Sequence, residues 1–167
     1  MQLPDAKSVM YTACVLQKYS QTNLLAAVQK WMFETTGSGI QKGWITRAHH
    51  MTVKFNPRQS DIEAVRNFLG QEVELQITDW AVDDYGIACV VKSKVALPLA
   101  NEVPHITIAH SRNVGAVYSN TLLADRSKWN PVEVPISVNS EMVCVLRDNM
   151  TMIPQPVNAA AQTVSNF

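Results

Sequence analysis

The pattern of apolar positions along the chain predicts strands and helices in alternation. Residues 9–16 form an apolar run rich in strand-favouring types, which predicts a buried strand. Residues 21–33 carry apolar side chains three and four positions apart, which predicts a helix. Residues 60–68 predict a second helix, with Ser60 as its N-cap and Gly70 as its stop. Further strands are predicted at residues 44–55, 73–82, 85–93, 105–110, 132–138 and 141–147, and a third helix at 114–124.

This order of elements predicts an α+β fold with mostly antiparallel strands. The two halves of the chain also share short similar segments: YTACVLQ near the start resembles EMVCVLR near the end, and HHMTV resembles HITIA. Each half would supply one outer strand and one inner strand, as in a duplicated, two-lobed fold. The segment after Ile153 is polar and carries two prolines. We therefore predict one domain over residues 1–153 and a loosely ordered tail over 154–167.

The amino-acid composition limits the classes of ligand that the protein is expected to bind. Of the 167 residues, 47% are hydrophobic and 17% are charged, which favours a folded globular protein. Lysine plus arginine and aspartate plus glutamate number 14 each, so the formal net charge is zero. Proteins that bind long nucleic acids through their phosphates usually carry a basic excess. A small phosphate-bearing ligand is therefore the better expectation.

Cysteine usage and the N-terminus bear on localisation. Cys14, Cys89 and Cys144 all lie in apolar runs, which predicts reduced core thiols in a cytosolic protein. The first ten residues lack the pattern of a signal peptide, and no apolar run reaches membrane-spanning length. We expect a cytoplasmic protein that does not bind membranes, and we leave assembly into a homo-oligomer open.

Two matching tripeptides carry the candidate chemistry: His50-Met51-Thr52 and His105-Ile106-Thr107. In a strand, residues two apart point to the same side. Each motif therefore presents an imidazole and a hydroxyl on one face. In the first strand, regular alternation places His50, Thr52 and Lys54 on that face and Met51, Val53 and Phe55 on the other.

Two such strands side by side would place two imidazoles across one cleft, which suits acid–base catalysis on a phosphodiester. One neutral histidine would take a proton from the attacking hydroxyl, and the other would donate a proton to the leaving oxygen. Threonine hydroxyls would bind the phosphate oxygens as charge develops. This scheme needs no metal or other cofactor.

Two other interpretations compete with this one. A single His-x-Thr on a strand is more often a surface or satisfied core histidine, but the two copies lie 55 residues apart and hold half of the four histidines. A zinc site is disfavoured because neither His49 with His50 nor His105 with His110 has the spacing of a helical zinc motif. In regular strands His49 and His110 point away from their motif neighbours, so both are left out of the predicted site.

The motifs resemble the signature of the 2H phosphoesterase superfamily, which is named for two His-x-Thr/Ser motifs. The resemblance covers the chain from its first strand to about Arg147. It implies a bilobed α+β fold in which two mostly antiparallel sheets form a cleft with helices outside. The stretches GWITRAHHMTVKF and NEVPHITIAH are most similar to phage anti-CBASS phosphodiesterases, which cleave cyclic oligonucleotide immune signals.

The resemblance implies that His50 and His105 are the catalytic pair and that Thr52 and Thr107 bind phosphate. It further implies nucleotide contacts from aromatic residues at Tyr11 and Trp80 and from an acid at Glu141. Core packing for Tyr11 and Trp80, and a solvated strand end for Glu141, are the competing interpretations.

The expected activity is hydrolysis of 3′–5′ linkages in cyclic di- or trinucleotides such as 3′3′-cGAMP, within an infected bacterium. One alternative is a phosphodiesterase that acts on RNA 2′,3′-cyclic ends in RNA repair. Another is a sponge that binds a cyclic nucleotide without cutting it.

Overall fold

The computed structural model describes residues 1–160 of the chain. They form three α-helices, eight strands and three short 3₁₀ turns. The helices are α1 (Lys18–Thr36), α2 (Gln59–Ala64) and α3 (Tyr118–Ala124). The strands are β1 (Val9–Leu16), β2 (Ile45–Thr46), β3 (His50–Phe55), β4 (Glu72–Val82), β5 (Gly86–Ser93), β6 (His105–His110), β7 (Trp129–Leu146) and β8 (Met152–Ile153).

All eight strands belong to a single sheet with the order β1-β3-β6-β5-β4-β7-β8, and β2 pairs with β6. Strand β1 also pairs with β7, so six strands close into an antiparallel barrel. The predicted α+β class with antiparallel strands is confirmed. The expected pair of separate sheets is not found, because β1 hydrogen-bonds to β3 on one side and β7 on the other.

One face of the closed sheet carries the main hydrophobic core. Met51 and Val53 of β3, Ile106 and Ile108 of β6, and the inward positions of β4 and β5 are buried there. The helix α1 contributes Leu24, Val28 and Met32, which lie three and four residues apart on one side of the helix. The three cysteines are free and buried, as their apolar contexts predict. The residues between these core positions face the opposite side of the sheet.

Two element boundaries differ from the prediction. The segments 132–138 and 141–147 form one strand, β7, because β4 pairs with it without a break from Val138 to Glu141. The helix α2 begins after Arg58 rather than after Ser60, since the Asp61 carboxylate accepts the Arg58 backbone N–H at 2.8 Å. Gly70 follows this helical segment with a left-handed φ of 77°, which suits glycine.

The C-terminal residues from 154 to 160 run beside β1. The Ala160 N–H donates to the Leu16 carbonyl, and the Lys18 N–H donates to the Asn158 carbonyl. Ala160 is only 3% exposed. The remainder of the predicted tail, residues 161–167, lies outside the described residues. None of the helices in residues 1–160 has the length and apolar character needed to cross a membrane.

Candidate active site

The two His-x-Thr motifs lie on neighbouring antiparallel strands, β3 and β6, with Met51 paired to Ile106. This register places His50 across from Thr107 and Thr52 across from His105. The four side chains share the face opposite the main core and line one cleft of about 370 Å³. The structure thus brings together the four residues that the two motifs predicted, with each histidine facing the threonine of the other motif.

The ring of His105 is oriented by the backbone just before β6. Its Nδ1 lies 2.8 Å from the Val103 carbonyl oxygen. Because a carbonyl oxygen only accepts, Nδ1 carries the proton and donates it. The Nε2 atom is therefore the one left to exchange protons with a ligand in the cleft.

His50 is oriented by its sequence neighbour and by an aromatic ring. The Nδ1 atoms of His49 and His50 lie 3.0 Å apart, so one ring donates to the other. Tyr11 stacks on the other side of His50, with ring centroids 4.8 Å apart and an interplanar angle of 20°. These two contacts fix the plane of the imidazole and occupy its Nδ1. As in His105, the Nε2 atom is left for proton transfer.

His49 does not point away from the cleft, as regular alternation predicts, but lines it. Ala48 adopts a left-handed φ of 52°, which ends the regular strand between β2 and β3. Alternation therefore does not run through residues 47–49, and Arg47, His49 and His50 all line the cleft. A left-handed alanine gives no signal in the sequence, since glycine or asparagine is the usual residue there.

Burial keeps the histidines of the cleft neutral. Removal from water, together with smaller effects of the nearby His49, His105 and Arg47, lowers the pKa of His50 to about 3. Burial lowers the pKa of His49 to about 4, while the Ala160 backbone opposes this shift. Burial also lowers the pKa of His105, against the opposing effect of the Val103 carbonyl. The cleft is therefore suited to an anion, whose charge would restore a proton to one imidazole.

Arg47 is a cleft residue that the sequence pattern did not single out. It is 9% exposed, and burial lowers the pKa of its guanidinium, although not enough to remove its charge at neutral pH. Its Nε donates to His110 Nε2 at 3.1 Å, while His110 Nδ1 donates to the Ser111 carbonyl at 2.9 Å. His110, which is 1% exposed, thus holds the arginine by accepting its Nε–H. The only signal in the sequence is a cation three residues before the first motif.

The two threonines are not equivalent. Thr107 Oγ1 lies 3.2 Å from the Ala116 carbonyl, to which it donates, and 2.8 Å from Ser119 Oγ. A hydroxyl has one proton, so Ser119 donates to Thr107 in this arrangement. Thr52 Oγ1 makes no hydrogen bond within residues 1–160 and lines the cleft. Thr52 is therefore the hydroxyl with a proton to give to a bound anion.

The three further residues of the predicted site have different positions. Tyr11 lines the cleft but stacks on His50, and its hydroxyl donates to Asn149 Oδ1 at 3.4 Å. Trp80 is 2% exposed and packs in the core against Trp31, with ring centroids 5.9 Å apart. It does not reach the cleft, because its side of β4 faces the main core.

Glu141 does not line the cleft either. It lies on β7 between Val15 of β1 and Glu72 of β4, and its carboxylate accepts the Val157 N–H at 3.2 Å. Its observed contact is thus with the C-terminal segment. Within residues 1–160, no group of three or more histidine, cysteine or acidic side chains is arranged to hold a metal ion.

Taken together, the cleft holds two neutral imidazoles with oriented Nε2 atoms, one guanidinium and one available hydroxyl. Such a set can deprotonate a hydroxyl, protonate a leaving oxygen and bind the oxygens of a phosphate between them. Of the residues that line the cleft, Arg47 is the single lysine or arginine in the part of the chain that the structure describes.

A comparison with protein-family models matches residues 35–148 to the fungal tRNA ligase phosphodiesterase domain. The match covers more than half of the chain and includes both His-x-Thr motifs. No curated protein sequence matches the chain significantly. The matched family is a 2H phosphoesterase family, which agrees with the superfamily that the motifs predicted. The chain belongs to the fungal tRNA ligase phosphodiesterase domain family, a 2H-type family of phosphodiesterases.

Proposed function

We propose that the protein hydrolyses 3′–5′ phosphodiester linkages of small cyclic oligoribonucleotides, with His50 and His105 as the acid–base pair. The observation that carries the proposal is the crossed arrangement of the two motifs, in which each imidazole faces the hydroxyl of the other motif across one cleft. Thr52 and Thr107 are proposed to lie at the phosphate. Thr52 donates to a phosphate oxygen, while Thr107 supports that wall of the cleft.

The size and charge of the cleft favour a small substrate. A volume of about 370 Å³ is in the range of small-molecule sites. A single cation among the lining residues suits one phosphate group better than a long RNA backbone. The net charge of zero points the same way. The resemblance of the segments around both motifs to phage anti-CBASS phosphodiesterases supports a cyclic oligonucleotide.

The proposed reaction has two steps with balanced proton transfers. One neutral imidazole takes the proton of a ribose 2′-hydroxyl, and O2′ attacks the adjacent phosphorus. The bond from phosphorus to O5′ breaks, and the other imidazole, protonated in the complex, gives its proton to O5′. A 2′,3′-cyclic phosphate and a 5′-hydroxyl result. Water then opens the cyclic phosphate with the two histidine roles exchanged.

The test is incubation of the purified protein with 3′3′-cGAMP in EDTA, followed by product analysis. Linear products carrying a 2′,3′-cyclic phosphate or a terminal phosphate are expected. The His50→Ala and His105→Ala variants should each lose roughly 100- to 10,000-fold in rate. A substrate with 2′-deoxyribose at both positions should bind without being cut. Intact 3′3′-cGAMP after long incubation with the wild type would contradict the proposal.

The family match favours one second candidate, a phosphodiesterase that opens 2′,3′-cyclic phosphates at RNA ends. This activity would need only the second step above, with the same residues. An RNA oligomer with a 2′,3′-cyclic end, assayed beside the cyclic dinucleotide, separates the two candidates. The native substrate class should be preferred by orders of magnitude in kcat/KM. If the wild type and the His50→Ala variant only bind 3′3′-cGAMP, sequestration is the function instead.

A further inference from the structure

The end of β3 departs from regular alternation at a bulge. Ala13 of β1 pairs with Thr52, but the preceding Thr12 pairs with Lys54, so Val53 is an extra residue on β3. Beyond the bulge, Tyr11 pairs with Phe55. Phe55 therefore points to the cleft side instead of the core side that alternation predicts. It lines the cleft together with Thr52 of the same strand.

Phe55 is unusually exposed for a phenylalanine. It is 65% exposed at the mouth of the cleft, whereas Met51 and Val53 on the same strand are buried. A regular strand would have packed this ring with Val53 in the core. The bulge thus turns a large apolar ring to the solvent beside the candidate phosphate position. A flat ring in that place offers a π-face on which another planar group can stack.

The loop before β6 places an amide beside Phe55 at the mouth of the cleft, which we call the rim. The Ala100 N–H donates to the Val53 carbonyl at 3.0 Å, which ties this loop to the bulge. The next residue, Asn101, lines the cleft with Phe55. Its amide makes no hydrogen bond within residues 1–160. A side-chain amide both donates and accepts, so it can bind the edge of a heterocycle that presents both kinds of group.

The rest of the rim is uncharged. Asn120 and Asn149 line it with their amides, and Val117, which is 72% exposed, forms its apolar part. The guanidinium of Arg47 and the imidazoles belong to the same cleft. The cleft therefore combines a cationic, proton-transferring set of residues with a rim of one aromatic ring and neutral amides. This combination matches a nucleotide, whose phosphate is anionic and whose base is flat and neutral.

We infer that the rim at Phe55 and Asn101 is a nucleobase subsite: Phe55 stacks on the base and Asn101 hydrogen-bonds to its edge. The inference rests on the proposed function, because it places the base of the nucleotide whose phosphate lies between the two motifs. It also replaces Trp80 as the aromatic contact, since Trp80 is buried in the core.

The test measures binding, so that it does not depend on turnover. The probe is 2-aminopurine riboside 3′-monophosphate, whose fluorescence falls when the base stacks on an aromatic ring. The wild type is expected to bind and quench the probe. Phe55→Ala should weaken binding roughly 10- to 100-fold and abolish quenching, as expected for the loss of one base–aromatic stack. Phe55→Tyr should bind within about threefold of the wild type, because the ring remains.

The matched control is Phe33→Ala. Phe33 is 59% exposed on α1 and does not line the cleft, so its loss should leave binding unchanged. Ribose 3-phosphate, which has no base, should bind wild type and Phe55→Ala equally. Asn101→Leu should change the relative affinities of adenine, guanine and uracil 3′-nucleotides by about tenfold while affecting ribose 3-phosphate little.

The outcomes separate this inference from the proposed function. Equal binding of the probe to wild type and Phe55→Ala overturns the subsite, even if the wild type cleaves cyclic dinucleotides. An equal loss of ribose 3-phosphate binding in Phe55→Ala overturns it as well, because a general disturbance of the cleft would then be the cause. Quenched binding that depends on Phe55 supports the subsite even if no phosphodiester is cleaved.

Discussion

The Nδ1 atoms of His49 and His50 lie 3.0 Å apart, so the two adjacent imidazoles share one proton between them. In the tautomer with the proton on its Nδ1, His50 donates to His49 and has a basic Nε2. In the proposed reaction His49 would therefore act through His50. Its contribution resembles that of the Val103 carbonyl, which fixes His105 in the same way.

Replacing His49 should lower kcat with little change in KM. We expect His49→Leu to lose roughly 10- to 100-fold in kcat, the usual effect of removing a group that orients a functional histidine. His49→Gln, which keeps a polar group, should recover part of the loss. The pKa of His50 should also rise in His49→Leu, because one of the neighbours that depress it is gone. A pH–rate profile that does not move, with unchanged kcat, would refute the positioning role.

Arg47 should be needed for phosphate binding in a way that lysine does not satisfy. Arg47→Met is expected to lower kcat/KM by roughly 100- to 1,000-fold. Arg47→Lys should recover less than about tenfold of this, because lysine lacks the planar fork and the Nε–H that donates to His110. The control is Lys54→Met, since Lys54 lies on β3 but does not line the cleft. Similar losses in Lys54→Met and Arg47→Met would contradict a local role for Arg47.

The proposed reaction should be faster at acidic pH than is expected for two histidines with ordinary pKa values. His50 has a pKa of about 3 and that of His105 is also lowered, so both are neutral in the free protein at pH 7. The fraction of protein with one protonated imidazole grows as the pH falls. We therefore expect kcat/KM to rise from pH 8 towards pH 5. The pH profile of kcat should be displaced to higher pH, because the bound phosphate raises the pKa of the acid.

The free energy of unfolding should decrease as the pH falls below the pKa of a histidine in the unfolded chain. The folded-state pKa values of His49 and His50, about 4 and about 3, lie below the ordinary value of 6.5. Between these limits the unfolded chain binds more protons, so protonation favours unfolding as the pH falls. The free energy of unfolding should drop by on the order of 1–3 kcal/mol from pH 6.5 to pH 4.

Urea unfolding of wild type and His49→Gln at several pH values checks this. The wild type should lose stability steeply below pH 6.5, and the variant should show a shallower loss. Parallel curves for the two proteins would show that His49 is not a source of the dependence.

Replacing Thr107 should mainly lower stability, whereas replacing Thr52 should mainly lower activity. Thr107→Val leaves the buried Ser119 hydroxyl without its partner and should cost about 1–3 kcal/mol of stability. Thr52→Val breaks no hydrogen bond within residues 1–160 and should change stability by less than about 0.5 kcal/mol. It should nevertheless lower kcat/KM by roughly 10- to 100-fold, because a donor to the phosphate is lost. Thermal melts and initial rates on the same two variants give both numbers.

The position of the two motifs was predictable because strand alternation is a local property. His50, Thr52, His105 and Thr107 lie in regular segments, and the sequence also predicted the α+β class and most strands. The local exceptions were not predictable. Ala48 adopts a left-handed conformation, which brings Arg47 and His49 into the cleft, and a bulge at Val53 reverses the direction of Phe55.

The position of Trp80 and the closure of the sheet were not predicted because both depend on long-range packing. Trp80 follows a register shift in β4 between Ile77 and Asp79, and its burial comes with its contact with Trp31 of α1, far away in the chain. Closure of the sheet depends on the pairing of β1 with β7, which joins residues at opposite ends of the domain. Neither the packing nor the closure leaves a periodic pattern in the sequence.

The antiparallel register of β3 and β6 gives the centre of the cleft an approximate two-fold symmetry. A rotation about the Met51–Ile106 pair exchanges His50 with His105 and Thr52 with Thr107. In the proposed reaction, the motifs alone therefore do not distinguish the two ends of a phosphodiester, and either histidine could serve as base or acid. In that reaction, direction would come from the residues that break the symmetry: Arg47, His49 beside His50, and the Ser119 hydroxyl that bonds to Thr107. The polarity of the proposed cleavage would thus depend on the supporting residues rather than on the signature that identifies the family.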